Sequence, residues 1–116
     1  MSAAAKDVYD EMLSQLRACN LSISPRVERA MKRYWTVAQG LFESELGNID
    51  ASIVALDYAF SQKVLPQING TGEQYGEKLK AALKCAKERN LRHSAACLTD
   101  ILQRGEANMM YYQFFA

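Results

Sequence analysis

The stretch Ser24-Pro25-Arg26-Val27-Glu28-Arg29-Ala30-Met31-Lys32-Arg33-Tyr34-Trp35-Thr36-Val37-Ala38 supplies a helix start, an apolar face and a charge where a helix disfavours one. Ser24 is a capping residue, whose hydroxyl accepts a backbone N–H of the first turn. Pro25 suits the first helical position because the N–H it lacks would have had no intrahelical partner. Val27, Ala30, Met31, Tyr34, Ala38 and Leu41 then recur at helical spacing. Arg26 falls in the first turn, where the helix dipole opposes a cation at a cost of about 0.3 to 1 kcal/mol. An anion arriving at the helix end would offset that cost, and so would a neighbouring carboxylate.

Upstream, Lys6 to Cys19 reads as a helix with Val8, Met12 and Leu16 on one face and Tyr9 and Leu13 beside it. Its early acids Asp7, Asp10 and Glu11 complement the dipole. Residues 20–23 are too short for a domain linker, so the first two helices are expected to pack together. Downstream, the second helix continues through Phe42 to about Glu45, and Gly47 and Asn48 close it. Asn48 or Asp50 then caps a third, from Ile49 to Leu65. In it Ile53, Leu56, Phe60 and Val64 line one side, while Ala51, Ala55 and Ala59 keep another thin enough for close helix contact. Asp57 falls against this apolar face, and a buried carboxylate needs partners; a neighbouring helix end or a basic side chain would serve.

Pro66 stops the third helix, and residues 67–72 read as a glycine-rich turn. Thr71 with Gln74 has the form of a capping box for a fourth helix, from about Glu73 to Arg89, with Tyr75, Leu79, Ala82, Leu83 and Ala86 inward. Asn90 ends it. Ser94 is the expected cap of a fifth, containing Ala95, Leu98, Ile101 and Leu102 and fading near Gly105. The last segment, Met109-Met110-Tyr111-Tyr112-Gln113-Phe114-Phe115, is too apolar for a solvated tail and should dock on this bundle or on another protein. The expected fold is all-α: one domain over residues 1–116, a compact bundle of about five helices with an aromatic C-terminal tail.

Composition narrows the function classes. With 14 basic against 13 acidic side chains the net charge is +1, so no global field marks a nucleic-acid or membrane-surface protein. The three cysteines, Cys19, Cys85 and Cys97, have no C-x-x-C spacing and only His93 to join them, which argues for reduced thiols rather than a zinc site. No apolar run approaches the roughly 18 residues of a membrane span, and the start lacks a hydrophobic signal core, so a soluble, cytoplasmic protein is expected.

Catalytic motifs are missing as well. Gly70 and Gly76-Glu77-Lys78-Leu79 lack the spacing, hydroxyl and preceding strand of a phosphate-binding loop. Glu43 and Glu45 lie two apart on a helix and diverge, and nothing marks Cys85 or Cys97 as an activated thiol. The chain is not expected to be an enzyme by itself. Arg26, Arg29 and Arg33, with Lys32 nearby, fall on one stripe of the second helix. Such a stripe can hold phosphate, or can be a solvated face screened by Glu28. Too few aromatics interleave it for direct nucleic-acid binding to be expected.

Three segments in order carry a family resemblance: Ser24-Pro25-Arg26, then Ala55-Leu56-Asp57-Tyr58-Ala59-Phe60-Ser61-Gln62-Lys63-Val64-Leu65-Pro66-Gln67-Ile68-Asn69-Gly70, then Tyr111-Tyr112-Gln113-Phe114-Phe115. Together they resemble the C-terminal helical lid of AAA+ nucleotidases of the McrB-like restriction and defence group, over nearly the whole chain. The resemblance implies a lid that closes over ATP or GTP, with magnesium, held by a separate α/β core in cis or on another chain. It implies that Arg26 acts as the sensor-2 arginine reaching the γ-phosphate, with Arg29 and Arg33 as subsidiary phosphate or subunit contacts, in a ring-type homo-oligomer. The Walker A lysine and Walker B acid of such a core are absent, so this chain holds no cofactor and hydrolyses nothing alone. The alternative, from another class, is a free-standing helical interaction module that binds through Tyr111, Tyr112, Phe114 and Phe115.

Overall fold

The computed structural model describes residues 3–114 apart from 20, 22 and 47, and within that range the side chains of 6–37 and 53–114. Ser24 starts its helix as its chemistry requires: its Oγ accepts the Val27 N–H at 3.3 Å and its carbonyl accepts the Glu28 N–H at 3.0 Å. The fold is all-α, with five helices: α1 (Ala3–Ala18), α2 (Pro25–Leu46), α3 (Asn48–Lys63), α4 (Glu73–Glu88) and α5 (Arg92–Ala107). Two short strands, β1 (Asn69–Thr71) and β2 (Tyr111–Gln113), add an antiparallel ribbon with Gly70 opposite Tyr112. No described helix is long and apolar enough to cross a membrane.

α2 runs along α3, α1 lies against α4, and α5 is packed between α4 and α3. One core joins them, with Met12 and Leu16 of α1, Leu56 and Phe60 of α3, Leu79 of α4 and Leu98 and Ile101 of α5 all fully buried. The expected close packing of the first two helices does not form. The apolar face of α1 is spent on this common core, and α1 meets α2 mainly through long side chains. Trp35, not foreseen as inward, is also buried.

Element boundaries depart from expectation where tertiary partners intervene. α3 ends at Lys63, and Pro66 sits at the start of a short 3₁₀ turn, Leu65–Gln67. The expected glycine-rich turn contains β1, because the aromatic tail returns to pair with it. Flanking bonds from Gly72 N–H to the Met110 carbonyl (3.0 Å) and from Phe114 N–H to the Ile68 carbonyl (3.1 Å) extend the ribbon. Thr71 therefore lies in a strand and forms no capping box; Gly72, at φ 101°, precedes α4 instead, with no side-chain cap. Asn90 ends α4 as expected. It adopts a left-handed φ of 62°, with Leu91 N–H donating to the Ala86 carbonyl at 2.8 Å and Leu91 itself buried. The expected closure at Gly47 and the inward side chains of Ala38, Leu41 and Ala51 lie outside the described residues.

Candidate functional site

Asp57 is buried on α3, and the start of α5 answers its need for partners. Its carboxylate accepts the His93 N–H at 2.6 Å and the Ser94 N–H at 2.7 Å, while the Ser94 hydroxyl donates to the Asp57 carbonyl at 3.1 Å. Two first-turn N–H groups are thus satisfied from another helix, with the negative charge at the positive end of the dipole. This displaces Ser94 from its expected capping role: α5 begins at Arg92, so Ser94 sits inside the first turn. The Tyr58 ring stacks on His93 at 4.9 Å and closes the same junction. Asp57 is a fastener of the fold.

The start of α2 is built differently. Ser24, Pro25 and Arg26 are all exposed, as are Arg29 and Arg33 on the following turns and Lys32 beside them. Among the described residues no carboxylate pairs with Arg26, Arg29 or Arg33. Glu28, the acid of that first turn, is committed to α1 instead. It pairs with Arg17 at 3.5 Å and accepts the Tyr9 hydroxyl at 3.3 Å. Burial, and then the Glu28 carboxylate, push the Tyr9 hydroxyl up to about 12. The screening expected from Glu28 is therefore directed across to α1. With the Val27 N–H already taken by Ser24, what this helix end offers an incoming anion is the Arg26 guanidinium, backed along the helix by Arg29 and Arg33.

The tail is drawn into the bundle. Tyr112 is buried, Phe114 packs against the core, Tyr111 remains exposed, and Phe115 lies outside the described residues. The Tyr112 ring occupies space left by two helical glycines. A Cβ on Gly76 would come within 2.5 Å of Tyr112 Oη, and one on Gly105 would collide with the ring carbons. Tyr75 stacks beside it at 6.2 Å, and Arg104 donates to the carbonyls of Gln113 and Phe114 at 3.2 and 3.0 Å. Among the described residues of the tail, Met109, Met110 and Tyr111 are the large apolar side chains left exposed.

All three thiols are held toward their protonated form. Burial pushes Cys19 and Cys85 up to about 11. Cys97 does lie 4.0 Å from His93 Nε2, a neighbour the spacing alone did not flag, but burial and then the carboxylates of Asp57 and Asp100 raise it too. Among the described residues no three potential ligands gather as a metal site would require.

No curated protein and no solved structure matches this chain. Residues 1–111 match the model of the family described as Domain of unknown function (DUF8727), and the chain belongs to that family.

Proposed function

We propose that this chain is the helical lid of an AAA+ nucleotidase, in which Arg26 senses the terminal phosphate of a nucleotide bound by a separate core. The observation that carries the reading is the exposed Arg26 at the capped start of α2, without a carboxylate partner among the described residues. A cation held there against the dipole is stabilised when a phosphate arrives, and the guanidinium can make two parallel bonds to it. ATP or GTP, with its magnesium, supplies the electrophilic phosphorus and the leaving group. Arg26 orients and neutralises the terminal phosphate, and α2, packed along α3, transmits its position to the rest of the lid. Arg29 and Arg33 are placed to contact further phosphate oxygens or an adjacent subunit.

The test is Arg26→Ala in the nucleotidase that carries the α/β core, whether on the same chain or a partner. Turnover should fall by roughly 100-fold, the order seen when a charge-stabilising donor is removed, with helix content unchanged. Unchanged turnover would overturn the assignment. A second reading, a free-standing interaction module, is favoured by the exposure of Met109, Met110 and Tyr111 in a turn where both methionines hold a left-handed φ. Met109→Ser with Tyr111→Ser separates the two readings: partner capture lost with turnover intact supports the module, and the reverse supports the lid.

A further inference from the structure

His93 and Cys97 lie one turn apart on α5, with Sγ 4.0 Å from Nε2. At that length the contact is a weak sulfur bond, and both atoms keep lone pairs to give to another partner. His93 is exposed and Cys97 half-buried, on the side of α5 away from the core residues Ser94, Leu98, Ile101 and Leu102. The imidazole is already held in place. Tyr58 stacks on it at 4.9 Å, and Asp57 accepts the His93 backbone N–H at 2.6 Å. A tetrahedral zinc ion, bonded at about 2.3 Å to sulfur and about 2.0 Å to nitrogen, holds the two atoms about 3.5 Å apart. Closing the observed pair to that span takes about 0.5 Å of side-chain rotation.

Two ligands are half a set, and among the described residues no third His, Cys, Asp or Glu joins them. The rest of the outward face of α5 is self-complementary. Ala96 is exposed beside the two ligands and small enough for a second backbone to approach, and Arg92 and Asp100 stand exposed one turn before it and one turn after. In a two-fold antiparallel pair of α5 helices centred near Ala96, Arg92 of each copy faces Asp100 of the other. Arg92 has no carboxylate partner among the described residues, and Asp100, bonded through Oδ2 to Arg104 at 2.8 Å, has a second oxygen to offer. We infer that a zinc ion joins two copies of this chain through α5, with His93 and Cys97 of each copy completing a two-cysteine, two-histidine set. As each Zn–S bond forms, the thiol proton passes to solvent; Nε2 binds through its lone pair, with the ring proton on Nδ1. Two thiolates neutralise the dication, so the ion is enclosed between the helices without net charge. Burial, followed by the Asp57 and Asp100 carboxylates, keeps the free thiol protonated, and the same two carboxylates favour a cation at this spot. The inference stands apart from the nucleotide reading, since Arg26 plays no part in it.

The full chain, kept reduced, is titrated with zinc chloride and followed by sedimentation velocity, with cobalt(II) in place of zinc as a spectroscopic probe. A dimer sharing a single zinc ion and dispersed by EDTA is expected. Cobalt should give a sulfur-to-metal charge-transfer band and the strong visible bands of a tetrahedral site. Cys97→Ser and His93→Gln should each weaken zinc-driven dimerisation ~100-fold or more, with circular dichroism showing the helices retained. Arg92→Asp alone should weaken it ~10-fold, and the exchanged pair Arg92→Asp/Asp100→Arg should restore it. A monomer at every zinc concentration, a dimer that survives EDTA, or cobalt spectra unchanged by Cys97→Ser would overturn the proposal. A charge exchange that leaves assembly as weak as in Arg92→Asp would overturn it as well.

Discussion

The starts of α5 and α2 are finished in opposite ways. At α5 a carboxylate from α3 enters the first turn and takes two N–H groups, so an anion completes the dipole from inside the bundle. At α2 a serine supplies the cap, and the exposed charge beside it is the Arg26 cation, which no carboxylate pairs among the described residues. The first arrangement is self-sufficient and explains itself as structure. The second leaves an exposed cation where the dipole opposes it, and the proposed phosphate contact rests on that feature.

The contrast breaks most visibly at Asp57. Asp57→Ala strands the buried Ser94 N–H and the part-buried His93 N–H and should cost roughly 2 to 4 kcal/mol, read as a lowered urea midpoint; a loss below about 0.5 kcal/mol, the size of an ordinary surface change, would mean that the junction is not what holds α5. Next in size, Gly76→Ala drives a methyl group into the Tyr112 hydroxyl. It should destabilise by about 1 to 3 kcal/mol, although alanine is the better helix former. In a Tyr112→Ala background, where the ring is gone, most of that loss should vanish, and equal losses in both backgrounds would show that the tail does not rest on Gly76.

Tyr9→Phe removes the hydroxyl that ties Glu28 to α1 and should cost about 1 kcal/mol near neutral pH. It should also change the alkaline limb. The folded Tyr9 hydroxyl sits at about 12 against 10.0 when free, so its contribution is complete below pH 10 and is lost as pH rises from 10 to 12. Unfolding midpoints across that window should fall more steeply in the parent chain than in Tyr9→Phe; parallel curves would count against the burial of this hydroxyl. Smallest of all, Arg26→Ala in the isolated chain should raise stability by about 0.3 to 1 kcal/mol, most clearly at low salt. A loss of stability would reveal an internal partner for the guanidinium.

Local chemistry made part of this legible. Ser24 and Pro25 state a helix start in their own side chains, Asn90 states a helix end, and a carboxylate on the apolar face of α3 had to find donors. What stayed hidden depended on segments far apart in sequence. Ser94 and Thr71 have the chemistry of caps, but Asp57 reached the α5 start and the returning tail turned Thr71 into a strand residue. Gly76 and Gly105 read as weak points in their helices until the Tyr112 ring is seen between them. At the candidate site, the exposure of Arg26 followed from its place in the helix. The diversion of Glu28 to Tyr9 and Arg17 did not, because it depends on how α1 stands against α2.

The most direct test of phosphate recognition at α2 is a proton–nitrogen NMR titration of the isolated chain with tripolyphosphate, comparing the two helix starts. Saturable shifts are expected at the Arg26 side-chain N–H and at the Arg26 and Val27 amides, with the His93 and Ser94 amides unmoved. Shifts spread evenly over the lysines of α4, or none at Arg26, would contradict it.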